Sequence, residues 1–144
     1  MKFKAQKESV SYLFTQICKL RRNQSNALLS ASGLHAGQDA LLYYLDIQDG
    51  QTVSALVDKM HIQHATISNM IDRMEATGLL HKKKDDIDKR TSRLFLTPKG
   101  RESVGKINEA WRTLEGKTLD GFTAEEKETL TKLLSRVLGN LKGE

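Results

Sequence analysis

Apolar positions recur at helical spacing in six stretches of the chain and alternate in one. From about Glu8 to Ala31, Val10, Leu13, Phe14, Ile17 and Leu20 fall on one helical face, and Ser32-Gly33 supplies a left-handed stop. A second helix carries Leu41, Leu42 and Leu45 and runs into the turn signal Asp49-Gly50. Thr52 then offers its hydroxyl as an N-cap to a short third helix with Val53, Leu56, Val57 and Met60. After the connector His61-Ile62-Gln63 the same spacing returns in Ile67, Met70, Ile71 and Met74, and Gly78 closes that helix. Two strands are predicted next, about Leu79–Lys84 and Ser92–Thr97. The second places Leu94 and Leu96 on one face and Arg93 and Phe95 on the other. Thr97-Pro98 reads as an N-cap followed by proline at the first helical position. The long helix behind it holds Val104, Ile107, Trp111 and Leu114. Thr123-Ala124-Glu125-Glu126 is a capping box for a last helix with Leu130, Leu133, Leu134, Val137, Leu138 and Leu141.

The predicted fold is therefore mostly α with a small β-hairpin. Two short helices, a three-residue connector and a following hairpin make a winged helix-turn-helix pattern. The two helices bury apolar residues together, which holds the second as a rod with one free face. That face displays Gln63, His64, Thr66, Ser68, Asn69, Asp72 and Arg73. Short polar side chains near a helix N-terminus can reach base edges in a major groove, and the positive end of the helix dipole favours phosphate there.

Charge sharpens this picture. The net charge of +5 is small for 144 residues. It is also local: between Gly78 and Arg101, eight lysines and arginines stand against three aspartates, a surplus equal to that of the whole chain. Such a cluster suits phosphate contact. The hairpin tip, around Lys83, Lys84, Asp88, Lys89 and Arg90, can reach a minor groove, where an arginine meets negative potential. Asp88 is expected either to orient Arg90 or to cap the turn.

Other classes find little support. No Gly-rich phosphate loop, nucleophile elbow or triad occurs, so an enzyme is not expected. The single cysteine forbids an intrachain disulfide. The start Met1–Glu8 has no signal-peptide core, and no run approaches the roughly 18 apolar residues of a membrane span; a cytoplasmic protein without membrane contact is expected. His35, His61, His64 and His81 do not combine with cysteine or carboxylate into a metal site, and no cofactor is expected.

The residues Thr66-Ile67-Ser68, Asp72-Arg73-Met74-Glu75, Gly78-Leu79-Leu80, Asp88-Lys89-Arg90 and Leu96-Thr97-Pro98-Lys99-Gly100 carry a resemblance to the multiple-antibiotic-resistance regulator (MarR) family. Gly33-Leu34 followed by Gln38 matches it too, and the likeness covers nearly the whole chain. His35 departs from it, standing where the family usually has a threonine cap. The resemblance implies a homodimeric regulator, with residues 1–34 and 98–144 as a helical dimerisation region and 35–97 as the DNA-binding lobe. It implies a recognition helix starting at Gln63, a wing arginine at Arg90 and a pseudo-palindromic duplex operator with half-sites about one helical turn apart. It further implies a repressor released by a small aromatic or phenolic ligand held near Tyr12, Arg21, Tyr43 and Tyr44, with Arg22 and Trp111 as further candidates.

Two other readings stand beside this one. A winged-helix module that binds only proteins would not need the basic hairpin. A thiol-based redox sensor would use Cys18, which lies on or near the apolar face with Phe14 and Ile17 and is expected to behave as a small buried hydrophobe.

Overall fold

The structure, a computed structural model, describes residues 9–144. The segment Met1–Glu8, read above against a signal peptide, lies outside the described residues. Nine elements follow in order: α1 (Val10–Ser30), α2 (Gln38–Ile47), β1 (Gln51–Thr52), α3 (Val53–Met60), α4 (His64–Ala76), β2 (Leu80–Lys84), β3 (Ser92–Leu96), α5 (Pro98–Thr118) and α6 (Ala124–Lys142). Two compact units result, one running through Trp111 and one from Arg112 to Glu144.

Caps set most helix starts. Ser9 Oγ accepts the Tyr12 N–H at 3.1 Å, Thr52 Oγ1 the Ala55 N–H at 3.1 Å, and Thr97 Oγ1 the Gly100 N–H at 3.0 Å. The capping box of α6 closes reciprocally, with Thr123 Oγ1 to the Glu126 N–H at 3.1 Å and Glu126 Oε1 to the Thr123 N–H at 3.0 Å. α2 and α4 start without a side-chain cap; in α2 the backbone is served another way. Its N-cap is Gly37, at φ +89°, with no side-chain cap; Gln38 Oε1 instead accepts the N–H of His35 at 3.2 Å. The buried Gln38 thus satisfies the backbone at the place where a threonine is missing.

In the first unit Leu41, Leu42 and Leu45 of α2 pack with Leu56 of α3, Ile67, Ile71 and Met74 of α4, Leu80, Leu94 and Leu96 of the sheet, and Val104 and Ile107 of α5. Each such buried side chain contributes about 1.5–3 kcal/mol against an exposed reference. The sheet is antiparallel in the order β1-β3-β2, with Lys82 opposite Leu94 and Gln51 on its other side. Sequence reasoning gave a two-stranded hairpin. The third strand, β1, is two residues long, too short to leave an alternating pattern.

The turn between α3 and α4 is tight. His61 sits at φ 52° and ψ 39°, the one non-glycine residue with positive φ among the described residues. That conformation crowds Cβ against the carbonyl and costs about 1 kcal/mol. His61→Gly keeps the N–H bond to the Val57 carbonyl (3.0 Å); relief of that strain outweighs the added freedom of the unfolded chain only slightly, so stability is expected to rise by about 0.5 kcal/mol or less. A lowered midpoint in thermal unfolding would contradict this.

Not every apolar stripe is covered. On α1, Val10, Leu13, Ile17 and Leu20 are exposed, and Cys18 is exposed beside them. The expectation of a buried Cys18 is corrected: its helix face is apolar but lies open within the single chain. In the second unit, Leu133, Leu134, Leu138 and Leu141 of α6 are likewise exposed, and α6 has no buried residue. No helix among the described residues is long and apolar enough to cross a membrane.

Candidate nucleic-acid interface

α4 is held by Ile67, Ile71 and Met74, all buried, so its remaining faces are fixed by the core. Gln63 is its N-cap residue but makes no side-chain cap bond, which leaves backbone N–H groups at the helix start without a side-chain partner. The free surface carries two rows. His64, Ser68 and Asp72, four apart, line a cleft of about 250 Å³ with Val53, Lys82 and Arg90. Thr66, Asn69 and Arg73 line a second hollow of about 240 Å³ with His35 and Met70. His64 Nδ1 lies 3.2 Å from Ser68 Oγ, so the first row is linked at its start.

The wing faces the first row. Lys82 is tied down, with its Nζ 3.2 Å from Asp72 Oδ1 and its N–H donated to Glu75 Oε2 at 2.9 Å. Lys83, Lys84 and Lys89 are exposed and form no ion pair among the described residues. Between the strands, the two carboxylates Asp85 and Asp88 organise the turn. Asp85 Oδ2 accepts the N–H groups of Ile87 (3.2 Å) and Asp88 (2.9 Å). Asp88 Oδ1 accepts both the N–H and the Nε of Arg90, at 3.1 and 3.3 Å, and its Oδ2 accepts the Thr91 hydroxyl at 3.3 Å. Asp88 therefore does both things weighed for it: it folds the turn and holds the guanidinium. Arg90 itself is 93 % exposed.

Sequence reasoning missed Asp85, Arg93 and Asp49. Arg93 Nε donates to Asp85 Oδ1 at 2.6 Å, and its Nη1 donates to the Gly50 carbonyl at 2.8 Å. Asp49 Oδ1 accepts the Leu96 N–H at 2.9 Å, and its Oδ2 pairs with Arg101 at 3.0 Å. Asp49-Gly50 was legible as a turn, but these partners lie more than forty residues away. Bonds from the Asp88 N–H first, then from Arg93, hold the Asp85 carboxyl down at about 2. Because the folded value is depressed below the ordinary 3.8, the stabilisation is complete above about pH 4 and is lost as pH falls toward 2. The carboxyl resonance of Asp85 is expected to titrate near pH 2; a midpoint at an ordinary aspartate value would contradict the turn geometry.

The ligand candidates fall on two helices. Tyr12 and Arg21 are half-buried on α1. On α2, the Tyr43 ring lies 5.7 Å from Tyr44 and 5.1 Å from Trp111, whose indole N–H donates to Asp39 Oδ2 at 2.9 Å. Tyr44 turns its hydroxyl toward the Lys59 carbonyl, 3.5 Å away. Arg22 is exposed.

Comparison with known proteins agrees with this geometry. Residues 34–92 match the sequence model of the MarR family. The Bacillus subtilis HTH-type transcriptional regulator YybA, itself uncharacterised, is 29% identical over 118 residues, 82% of this chain and 79% of that protein. A Listeria monocytogenes protein assigned to the MarR family, solved in complex with a 26mer DNA, superposes with a TM-score of 0.85 at 28% identity, covering 93% of this chain and 89% of that one. Bordetella bronchiseptica BpsR, whose DNA binding is regulated by 6-hydroxynicotinic acid, shares the fold at a TM-score of 0.84 and 24% identity, over 94% and 97% of the two chains. Residues 34–92 thus resemble the MarR family, and the chain as a whole is similar in sequence and fold to HTH-type transcriptional regulators.

Proposed function

We propose that this protein is a homodimeric repressor that reads a pseudo-palindromic duplex operator and is released from it by a small aromatic or phenolic ligand. In this reading residues 35–97 form the DNA-binding lobe, and residues 1–34 and 98–144 supply the dimerisation region. The protein acts in the cytoplasm, without a cofactor and without catalysis. The observation that carries the reading is one cleft in which the start of α4 meets the wing arginine. His64, Thr66, Ser68, Asn69 and Arg73 then face base edges in the major groove, with Gln63 and the uncapped helix start on phosphate. Arg90, aimed by Asp88, enters the flanking minor groove, while Lys83, Lys84 and Lys89 take phosphates. The Listeria relative bound to DNA and the ligand-regulated BpsR support the two halves of the proposal. A ligand would use Arg21 for an acid group and the Tyr12, Tyr43 and Tyr44 rings for stacking; it acts by favouring a lobe spacing that no longer fits the grooves.

Anisotropy titration of a labelled duplex across a salt series tests the DNA half. Affinity should fall by a factor of about 10³ or more between 50 and 200 mM salt, as expected when several phosphates are neutralised. Affinity independent of salt, or no binding, would contradict it. The dimer half rests on the open leucines of α6, with Leu134 43 % and Leu138 53 % exposed. Wild-type protein should scatter light as twice the 16.2 kDa protomer, and Leu134→Asp or Leu138→Asp should shift the mass toward one protomer on dilution. A mass unchanged by either substitution would count against this interface.

A further inference from the structure

The wing tip has no core of its own. Ile87 at its apex is 96 % exposed, and among the described residues Asp88 is the one side-chain partner of Arg90. What fixes the tip is a chain of bonds that starts outside the wing. Asp49 is anchored to the Leu96 N–H and to Arg101 on the first turns of α5. The adjoining Gly50 carbonyl takes Nη1 of Arg93, and Nε of the same guanidinium takes Asp85. Asp85 gathers the Ile87 and Asp88 N–H groups, and Asp88 then holds the N–H and Nε of Arg90. Arg93 is the joint of this chain. Its planar fork serves a carbonyl and a carboxylate at once, which a lysine ammonium on a flexible stem cannot do with the same rigidity.

We infer that Arg93 and Asp85 are positioning residues for Arg90, fixing the wing tip to the Asp49-Gly50 turn so that the arginine is already aimed when DNA arrives. The inference rests on the DNA-binding reading above and assigns neither residue a contact with DNA. With Arg93 removed, Asp85 loses the partner that orients it, the turn amides lose their acceptor geometry, and Arg90 must be ordered at the moment of binding.

The test uses the full chain and a duplex selected by the wild-type protein from a random pool. Arg93→Met is expected to weaken binding at least about tenfold, with Arg93→Lys between it and wild type. Added to Arg90→Ala, Arg93→Met should cost no more than about a further twofold, because there is no longer an aimed side chain to lose. Losses that multiply would overturn the inference, since Arg93 would then act on DNA by itself. Wild-type affinity in Arg93→Met would overturn it as well. A second measurement stands apart from DNA: the amide resonances of Ile87 and Asp88 should move in Arg93→Met, while those of Leu41 and Leu42 in the core stay in place. Unmoved wing amides overturn the inference whatever the duplex shows. A wild-type protein that binds no duplex, with wing amides that do move, would instead fail the DNA reading and with it the purpose assigned to the clamp.

Discussion

Gly100→Ala is expected to destabilise the first unit by about 3 kcal/mol, at the upper end for adding one methyl group to a packed site. A Cβ at Gly100 would collide with the Leu79 carbonyl oxygen and lie 3.2 Å from Leu96 Cδ2. The obstacle is backbone, so no side-chain rotation relieves it. The approach is close because Thr97 ties three pieces together: its hydroxyl donates to the Gly78 carbonyl at 2.5 Å and accepts the Gly100 N–H, and its own N–H bonds the Leu79 carbonyl at 3.2 Å. The end of α4, the start of β2 and the first turn of α5 therefore meet at a point with room only for hydrogen. Denaturant unfolding of the variant checks this. A loss below about 1 kcal/mol would mean that the helix start can shift at little cost.

Arg90→Ala is expected to reduce operator affinity about a hundredfold. In the dimeric reading one aimed arginine is lost at each of two wings, and a hydrogen bond to a charged group is worth about 1.5–3 kcal/mol. Lys83→Ala, which removes an exposed and unpaired lysine, should cost about threefold or less. Both variants should remain folded, because neither side chain is part of the core. Titrations showing equal, small losses would remove Arg90 from the interface and leave the basic hairpin as solvated charge.

These two residues illustrate what the sequence made legible. Helix limits were readable because Thr52, Thr97-Pro98 and Thr123 with Glu126 are local caps whose effect does not depend on the rest of the chain. The apolar residues of α3, α4 and β3 could be assigned to one core because each shows its element's period. Gly100 stood out within Leu96-Thr97-Pro98-Lys99-Gly100, but its physical reason is a tertiary approach that no local pattern displays. The same holds for Arg93 and Asp49, whose partners across the fold lie 43 and 47 residues away. Asp88 and Arg90, two residues apart, could be paired from the sequence. Cys18 marks a different limit: periodicity identifies an apolar face, but not whether the same chain covers it. α2 marks a third, since the loss of a threonine cap at His35 was visible while its replacement by Gln38 was not.

The two units remain distinct in what they ask of a partner. The first presents α4 and the wing around one cleft lined by His64, Ser68, Asp72, Lys82 and Arg90. The second presents an open leucine stripe on α6. A protein that binds DNA through the first surface and itself through the second would use both. The most direct test is selection of duplex fragments from a random pool by the full-length protein, followed by sequencing and by light scattering of the complex. The account predicts a pseudo-palindrome with half-site centres about one helical turn apart, bound by two protomers. Recovery of a single asymmetric site bound by one protomer, or of no enriched sequence, would contradict it.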